Sequence, residues 1–365
     1  MRRPRTWRRT TATVLAVLAC TMTGSTARAQ SPSRVSLDSV SAVDLFRGDG
    51  TTGNPGASLD VSSVIRIGGG WSAHIRPWFF KSSADGSAWS RELYQAAVRY
   101  EHHGPLSLRV DAGYIASPLG LGMLDMRADI NPTIQPHLSY FVPLLPFDSG
   151  APMVGPITAS YPLGATATVS TMRWDARAAV VNSAPTRRSA FNAQRGNPDP
   201  TPVFITGGGL TLRPGLRVGA GYAQGQYATA DELADPSGDG RNLRMWNVEG
   251  EFAFGYTKLA GEWTTERFSR GTRVDTASTW FAQVSQTLTP RWFAAARHEA
   301  IGAPPPGGAV TNAPRLSFRT SEGTVGYRVT PELTLRGSVT ASRWYTARTT
   351  DRRAGVQVVW SRRWW

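Results

Sequence analysis

The chain is almost free of cysteine. Its one thiol, Cys20, lies in the N-terminal segment, and without that segment the protein has no thiol at all. Disulfides, thiolate metal sites and a cysteine nucleophile are then excluded together. Histidine is also sparse, and no His-Glu-x-x-His, Cys-x-x-Cys or Gly-x-Ser-x-Gly motif occurs. We therefore predict no enzymatic activity, no metal site and no cofactor.

Long apolar runs are missing as well. A spanning helix needs about 20 consecutive apolar residues, and no such run is present, which excludes a bundle of transmembrane helices. The apolar run from Ala12 to Ala19 is short, follows several arginines and precedes Ala27-Arg28-Ala29, which is typical of a secretory signal. We predict a cleaved signal peptide over residues 1–29 and one exported domain over residues 30–365. A weak lipoprotein box ending at Cys20 makes lipidation the alternative.

Clustered charge is the third absence. The formal net charge is +14, and the six arginines of residues 1–29, which contain no acidic residue, leave +8 for the rest. This charge is spread along the chain without the Lys/Arg runs of a nucleic-acid-binding surface. We therefore predict no nucleic-acid partner.

The residues that are present favour strands. Gly 37, Pro 25 and an aromatic content of 10% fit many short strands and turns. Apolar and polar residues alternate from Leu106 to Tyr114, and the same period of two recurs from Leu216 to Tyr222, from Trp246 to Phe254 and from Leu333 to Ala341. Since a strand places successive side chains on opposite faces, each of these segments separates two environments.

Turn signals give the topology. Three segments, Arg213-Pro214-Gly215-Leu216, Thr289-Pro290-Arg291-Trp292 and Thr330-Pro331-Glu332-Leu333, join one strand pattern directly to the next. Longer polar links separate them, and we expect short and long connections to alternate strictly. This pattern predicts an all-β, antiparallel, up-and-down barrel of about 16 strands. Tight turns are expected near Gly69, Gly104, Met172, Pro214, Gly255, Pro290 and Pro331.

The period of two does not say which face lies inside. The apolar face is the core of a soluble β-sandwich, but it meets lipid in a transmembrane barrel. Aromatic residues near the expected strand ends favour lipid, because such residues form girdles at the membrane surfaces. They are Trp71, Tyr114, Tyr222, Trp246, Trp263, Trp280, Trp292, Trp344 and Trp360. We therefore predict a transmembrane barrel, with a soluble periplasmic sandwich as the alternative.

The third long connection, with its surplus length between Ala116 and Gly155, differs from the others. The interval from the turn at Gly104 to the turn at Met172 is nearly double the usual spacing. The surplus segment is partly apolar, and exposed apolar surface in a long loop must be covered from water. We predict that it folds into the barrel lumen. Its carboxylates Asp125 and Asp129 are the expected constriction residues.

These features resemble the bacterial outer-membrane porins, both the general and the anion-selective types, including the phosphate-selective porins. The stretch Gly113-Tyr114-Ile115-Ala116-Ser117-Pro118-Leu119-Gly120 is similar to the segment that enters the third loop of phosphate-selective porins, and the chain ends in an aromatic residue, Trp365. The resemblance covers residues 30–365. It implies location in the cell outer membrane, outer-membrane lipid and barrel-assembly machinery as partners, and a homotrimer. Phosphate-selective porins carry lysine-rich loops, whereas this chain has only Lys81 and Lys258.

If the apolar face of each strand points outward, the basic residues on the opposite face point into the lumen. A ring of such charges favours anions, whereas pairing with Asp60, Asp111, Glu249, Glu251 or Glu262 would simply hold the wall together. We predict a porin for passive diffusion of small hydrophilic or anionic solutes, with a mild anion preference. The alternatives are a non-conducting barrel for adhesion, assembly or secretion, and an outer-membrane barrel hydrolase. The predicted pore-lining residues are Arg66, Arg76, Arg99, Arg109, Arg177, Arg217, Arg297, Arg336 and Lys258.

Overall fold

The computed structural model describes most of the chain after the predicted signal peptide. The described residues are 34–49, 53–81, 89–116, 118–121, 127–137, 163–181, 202–228, 241–270, 273–303, 316–344 and 349–365. Among them, no helix is long and apolar enough to cross a membrane.

Within this described part the chain forms sixteen β-strands. Each pairs antiparallel with its neighbour in sequence. The strands are β1 (Val35–Gly48), β2 (Pro55–Gly68), β3 (Trp71–Lys81), β4 (Ser90–His102), β5 (Ser107–Tyr114), β6 (Leu163–Ser170), β7 (Trp174–Val181), β8 (Val203–Arg213), β9 (Leu216–Ala228), β10 (Arg241–Phe254), β11 (Thr257–Arg270), β12 (Arg273–Thr287), β13 (Trp292–Ala303), β14 (Leu316–Arg328), β15 (Leu333–Trp344) and β16 (Thr350–Arg363).

The first and last strands close the sheet into a barrel. Their register runs from Asp38 opposite Arg363 to Gly48 opposite Arg353. Backbone hydrogen bonds extend this seam to the last residues, since the Leu37 N–H donates to the Trp365 carbonyl at 3.1 Å. A closed ladder leaves no strand edge with unpaired donors and acceptors, which is a condition for crossing a bilayer with strands. The predicted transmembrane antiparallel up-and-down barrel is confirmed.

All seven predicted tight turns lie at one end of this barrel. Two of them have the same construction, because Thr289 and Thr330 each precede a proline that fixes φ. The Thr289 hydroxyl accepts N–H bonds from Arg291 and Trp292, and the Thr330 hydroxyl accepts the equivalent pair. The turn at Pro214 instead needs Gly215, whose φ of 84° is unfavourable for a side chain. Local chemistry therefore specifies these hairpins.

The expected strict alternation of short and long connections is wrong at one place. β11 and β12 are joined by residues 271–272 alone, although this link lies at the end of the barrel that carries the long connections. These strands have 14 and 15 residues, among the longest in the barrel, so the residues expected in a loop extend the sheet instead.

Exposed aromatic side chains form two rows on the outer surface. One row, near the turns, includes Trp71, Trp174 and Phe254, and the other includes Trp246 and Trp280. Trp246 and Phe254 share a face of β10 and are eight residues apart, which corresponds to about 27 Å along a strand and about 20 Å along the normal of a barrel tilted by ~40°. The second row lies in the middle of long strands and not at their ends as expected, because the strands continue beyond it.

A charge on this surface should destabilise the barrel according to its depth. Val356, which is 59% exposed, lies on the outer face of β16 between the two ends, whereas Thr350 lies on the same face at the loop end. We expect Val356→Arg to lower the free energy of unfolding by about 2–4 kcal/mol and Thr350→Arg by about 0–1 kcal/mol. Urea unfolding in phospholipid vesicles measures both, and equal losses would contradict the assignment of this face to lipid.

Candidate functional site

The inner face of the wall carries the charged residues. Along each strand, exposed apolar side chains alternate with buried polar ones, and in a closed barrel the latter point inward. Asp60, Asp111 and Glu249 belong to this buried set. The basic residues expected in the lumen share its strand parity, and they are Arg66, Arg76, Arg99, Arg109, Arg177, Arg217, Arg297, Arg336 and Lys258.

On β2 to β5 the arginines form ion pairs with carboxylates of a neighbouring strand or of their own strand. The Arg76 guanidinium donates to both carboxylate oxygens of Asp60, with a shortest distance of 2.6 Å. Asp111 accepts from Arg99 at 2.6 Å and from Arg109 at 2.7 Å, so one carboxylate serves two guanidiniums. Arg66 is exposed near the turn end of β2.

A second ionic network covers β7 to β10. Arg217 donates to Asp175 and Glu249, each at a shortest distance of 2.8 Å, and Arg177 reaches Glu249 at 3.4 Å. Two glycines of β8 make room for this network, because a Cβ at Gly209 would meet the Arg217 guanidinium and one at Gly207 would contact Arg177. The run Gly207-Gly208-Gly209 therefore serves close packing. Lys258 pairs with Glu251 in the neighbouring hairpin at 2.6 Å.

In most of these pairs the base is more exposed than the acid. The side chain of Arg109 is 47% exposed and that of Asp111 is 2% exposed. The corresponding values are 23% for Arg217 and 1% for Glu249, and 50% for Lys258 and 27% for Glu251. The carboxylates lie against the wall beneath the guanidiniums. Although the pairs are close to neutral in sum, the outermost charges of the inner wall are therefore positive.

Arg297 and Arg336 differ from the other lumen arginines because the third connection covers them. Arg297 is only 3% exposed and donates to the carbonyl oxygens of Gln135 at 2.7 Å and Pro136 at 3.1 Å. Arg336 donates to the carbonyl oxygen of Thr133 at 3.3 Å. Both side chains bind the backbone of the third connection, whereas we predicted them as pore-lining residues that face solutes.

Two buried carboxylates, which carry the opposite charge to these arginines, also bind the third connection. Glu322 accepts the backbone N–H groups of Ile134 at 2.9 Å and Gln135 at 3.2 Å. Glu262 accepts the backbone N–H of Leu121 at 2.7 Å. Sequence reasoning expected Glu262 to pair with an arginine and did not single out Glu322. The available signal was a row of inward carboxylates in consecutive strands, without enough nearby bases to neutralise each one.

The start of the third connection rests on an apolar part of the inner wall. Ile115 and Leu119 are each 1% exposed and join a buried cluster with residues of β4 and β7 to β10, among them Ile205 and Met245. The Leu119 side chain occupies the space that a Cβ at Gly221 would need. This apolar patch gives the partly apolar third connection cover on the inner wall. Its sequence signal is the loss of alternation in Val203-Phe204-Ile205, where both faces are apolar.

The second described part, residues 127–137, contains one of the two carboxylates expected at the constriction. Asp129 forms an ion pair at 2.6 Å with Arg127 of its own segment, and this hydrogen bond raises the pKa of the Arg127 guanidinium. Its role as a constriction residue stays a prediction. Ala128 between them packs on the buried cluster of Val40, Ala42 and Val359. Asp125, the other carboxylate, lies outside the described residues.

No group of three or more His, Cys, Asp or Glu residues in the described part is arranged to hold a metal ion. The buried His137 lies 3.7 Å from Glu299 and has its ring against Phe281, with 4.2 Å between the ring centroids. It belongs to the attachment of the third connection to β12 and β13.

A closed barrel of sixteen antiparallel strands with a charged inner wall defines a porin-like architecture. OmpF of Salmonella typhi, in complex with daunomycin, is similar with a TM-score of 0.60 at 11% identity, over 90% of this chain and 97% of that one. OmpT, an outer membrane protein of Vibrio cholerae folded in vitro, gives 0.57 at 9% identity, over 90% and 97%. A porin refined at 1.8 Å gives 0.53 at 10% identity, over 90% and 100%. No family model and no curated protein matches the sequence, so these likenesses establish the fold alone.

Cross-linking can check the position of residues 127–137. In a Cys20→Ser background we expect the pair Ala42→Cys and Ala128→Cys to form a disulfide under mild oxidation, because Ala128 packs on the cluster containing Ala42. The matched pair Ser41→Cys and Ala128→Cys should stay reduced, since Ser41 lies on the outer face of the same strand. Mass spectrometry of thiol-alkylated protein measures both. Equal oxidation of the two pairs, or none, would contradict the contact.

Proposed function

We propose that this protein is an outer-membrane porin through which small hydrophilic solutes diffuse passively. The observation that carries the proposal is the combination of an apolar outer face and a charged inner face in one closed barrel of sixteen strands. Such a wall suits hydrocarbon on one side and water on the other. The neighbours OmpF and the 1.8 Å porin support the assignment at the level of fold.

The setting follows from the same proposal. Residues 1–29 act as the cleaved signal peptide, barrel-assembly machinery inserts residues 30–365, and outer-membrane lipid surrounds the barrel. The tight turns then face the periplasm and the long connections face outward, as in bacterial barrels. Assembly into a homotrimer is part of this proposal, by analogy with porins. No enzymatic step is required for passive diffusion.

We also propose that the third connection narrows the lumen. Its described residues contact the inner wall at separate places, Leu121 on β11 and Ala128 near β1 and β16. Four charged side chains of the wall bind the backbone of the third connection. These contacts support a constriction that is fixed in place rather than a mobile flap. The four side chains are Glu262, Arg297, Glu322 and Arg336.

The support for a mild anion preference is the exposure of basic side chains on the inner wall, and not the net charge of the wall. Arg109 and Lys258 are about half exposed while their carboxylate partners are less so. Glu262 of β11 and Glu322 of β14 instead bind the backbone of the third connection. Solutes then meet guanidinium and ammonium groups first, and exposed basic groups in a pore lower the barrier for anions.

A non-conducting barrel for adhesion, assembly or secretion is the second candidate. The specific observation in its favour is the apolar contact of Ile115 and Leu119 with the inner wall, because a connection held so firmly could close the lumen.

Conduction separates the two candidates. Purified full-length protein in planar bilayers should give discrete conductance steps, and liposomes that contain it should swell in small sugars but not in large oligosaccharides. Reversal potentials in a KCl gradient should show a chloride preference. Absence of swelling with protein confirmed in the vesicles would support the closed barrel, and a potassium preference would overturn the anion preference alone.

Neutralising the most exposed lumen bases should remove that preference. We expect the double variant Arg109→Gln and Lys258→Gln to lower the chloride-to-potassium permeability ratio about twofold, since Asp111 keeps Arg99 as its partner and Glu251 is accessible to water. The control is Arg173→Gln with Arg291→Gln, which removes equal charge from exposed turns. The same ratio in both variants would show that inner-wall charge does not set selectivity.

A further inference from the structure

The outer face of the barrel has charge of one sign only. In the described strands, no outward position carries Asp or Glu, because every strand carboxylate has inward parity. Basic residues do occur on this face, and all but Arg213 and Arg362 lie within four residues of the end that bears the long connections. We call these eight residues the basic arc: Arg47, Lys81, Arg91, Arg244, Arg267, Arg319, Arg343 and Arg352.

Four members of the basic arc face one another directly across strand pairs. Arg244 is in register with Arg267 on β10 and β11, and Arg319 is in register with Arg343 on β14 and β15. All four are exposed, and no described carboxylate pairs with them. Like charges directly opposite in a sheet repel. A bound anion between each pair removes that repulsion, and phosphate fits best because a guanidinium binds it through two parallel hydrogen bonds.

The depth of the basic arc fits a lipid headgroup. On β10, Arg244 lies two residues beyond Trp246 on the same face, and Trp246 belongs to the aromatic row farther from the turns. Aromatic girdles mark the level of the membrane surface. The guanidiniums therefore lie at, or just outside, the plane in which lipid phosphates lie.

A groove continues from this arc toward the middle of the barrel. Its volume is about 1090 Å³, it runs over the outer face of β11 to β16, and its lining is almost entirely apolar. Small residues such as Ala296, Gly323 and Ala341 create it, and nothing lies closer than 3.9 Å to the Cβ position of Gly323. Arg47 and Arg352 lie at its rim.

We propose that the groove and the basic arc bind an anionic, phosphate-bearing lipid of the outer leaflet. The phosphate lies among the guanidiniums of Arg47, Arg343 and Arg352, and an acyl chain lies along the groove. A second copy of this chain is disfavoured as the occupant, because it would bring its own basic arc to the same level and add repulsion. The proposal rests on the membrane location proposed above but not on conduction.

Lipid binding to the purified full-length protein in neutral detergent tests the site. Native mass spectrometry with added phosphatidic acid should show tighter binding than with phosphatidylcholine, whose headgroup has no net charge. The variants Arg47→Gln with Arg352→Gln, and Arg319→Gln with Arg343→Gln, should each bind phosphatidic acid about fivefold or more weakly. The matched control is Arg353→Gln, because Arg353 is adjacent to Arg352 but lies on the inner face beside Asp351; its affinity should stay unchanged.

Two further arms identify what is bound. Inorganic phosphate in millimolar excess should compete only weakly, because it lacks the acyl chain; full competition would assign the arc to free phosphate and overturn the lipid proposal. Gly323→Leu should fill the groove and weaken lipid binding without changing the thermal stability of the folded barrel. Equal binding of phosphatidic acid and phosphatidylcholine by all variants would also overturn it, whereas failed conduction alone would not.

Discussion

The absence of hydrogen-bonding partners in hydrocarbon is the constraint on which the rest of this structure depends. Every backbone N–H and C=O group that crosses the bilayer must be paired within the protein, and a closed ladder of strands satisfies them all. The seam between β1 and β16 is therefore as necessary as any hairpin, and it extends to the terminal Trp365. Once the ladder is closed, alternation along each strand divides the side chains into a lipid-facing set and an inner set.

That division also explains how charge is distributed. Several carboxylates of the inner wall are covered by arginines or bound by backbone N–H groups. Asp111 shows the first solution and Glu322 the second. The basic residues have more freedom, since their long side chains reach water from the inner face or the headgroup plane from the outer one. This asymmetry leaves positive charge at both surfaces that meet solvent or headgroups.

The third connection links the wall to the proposed function. Buried wall carboxylates and guanidiniums bind its backbone, while Ile115 and Leu119 use apolar surface on the inner face. A wall that was only a polar water pore would need neither feature. The same contacts would position a constriction in a conducting barrel or close the lumen of a non-conducting one. The fold is the same in both cases, so a transport measurement distinguishes them.

The sequence by itself determined the barrel: the period of two, the Thr-Pro turns and the number of hairpins are local signals, and each specifies geometry within a few residues. The alternation in the sequence also predicts that the lumen arginines lie on the inner face of the barrel. The partners of Arg297, the anchoring role of Glu322, the apolar patch under Leu119 and the opposed pair Arg319 and Arg343 were decided only by the tertiary structure. These contacts join residues far apart in the chain, and strand register, which the pattern along one strand does not contain, determines which side chains meet.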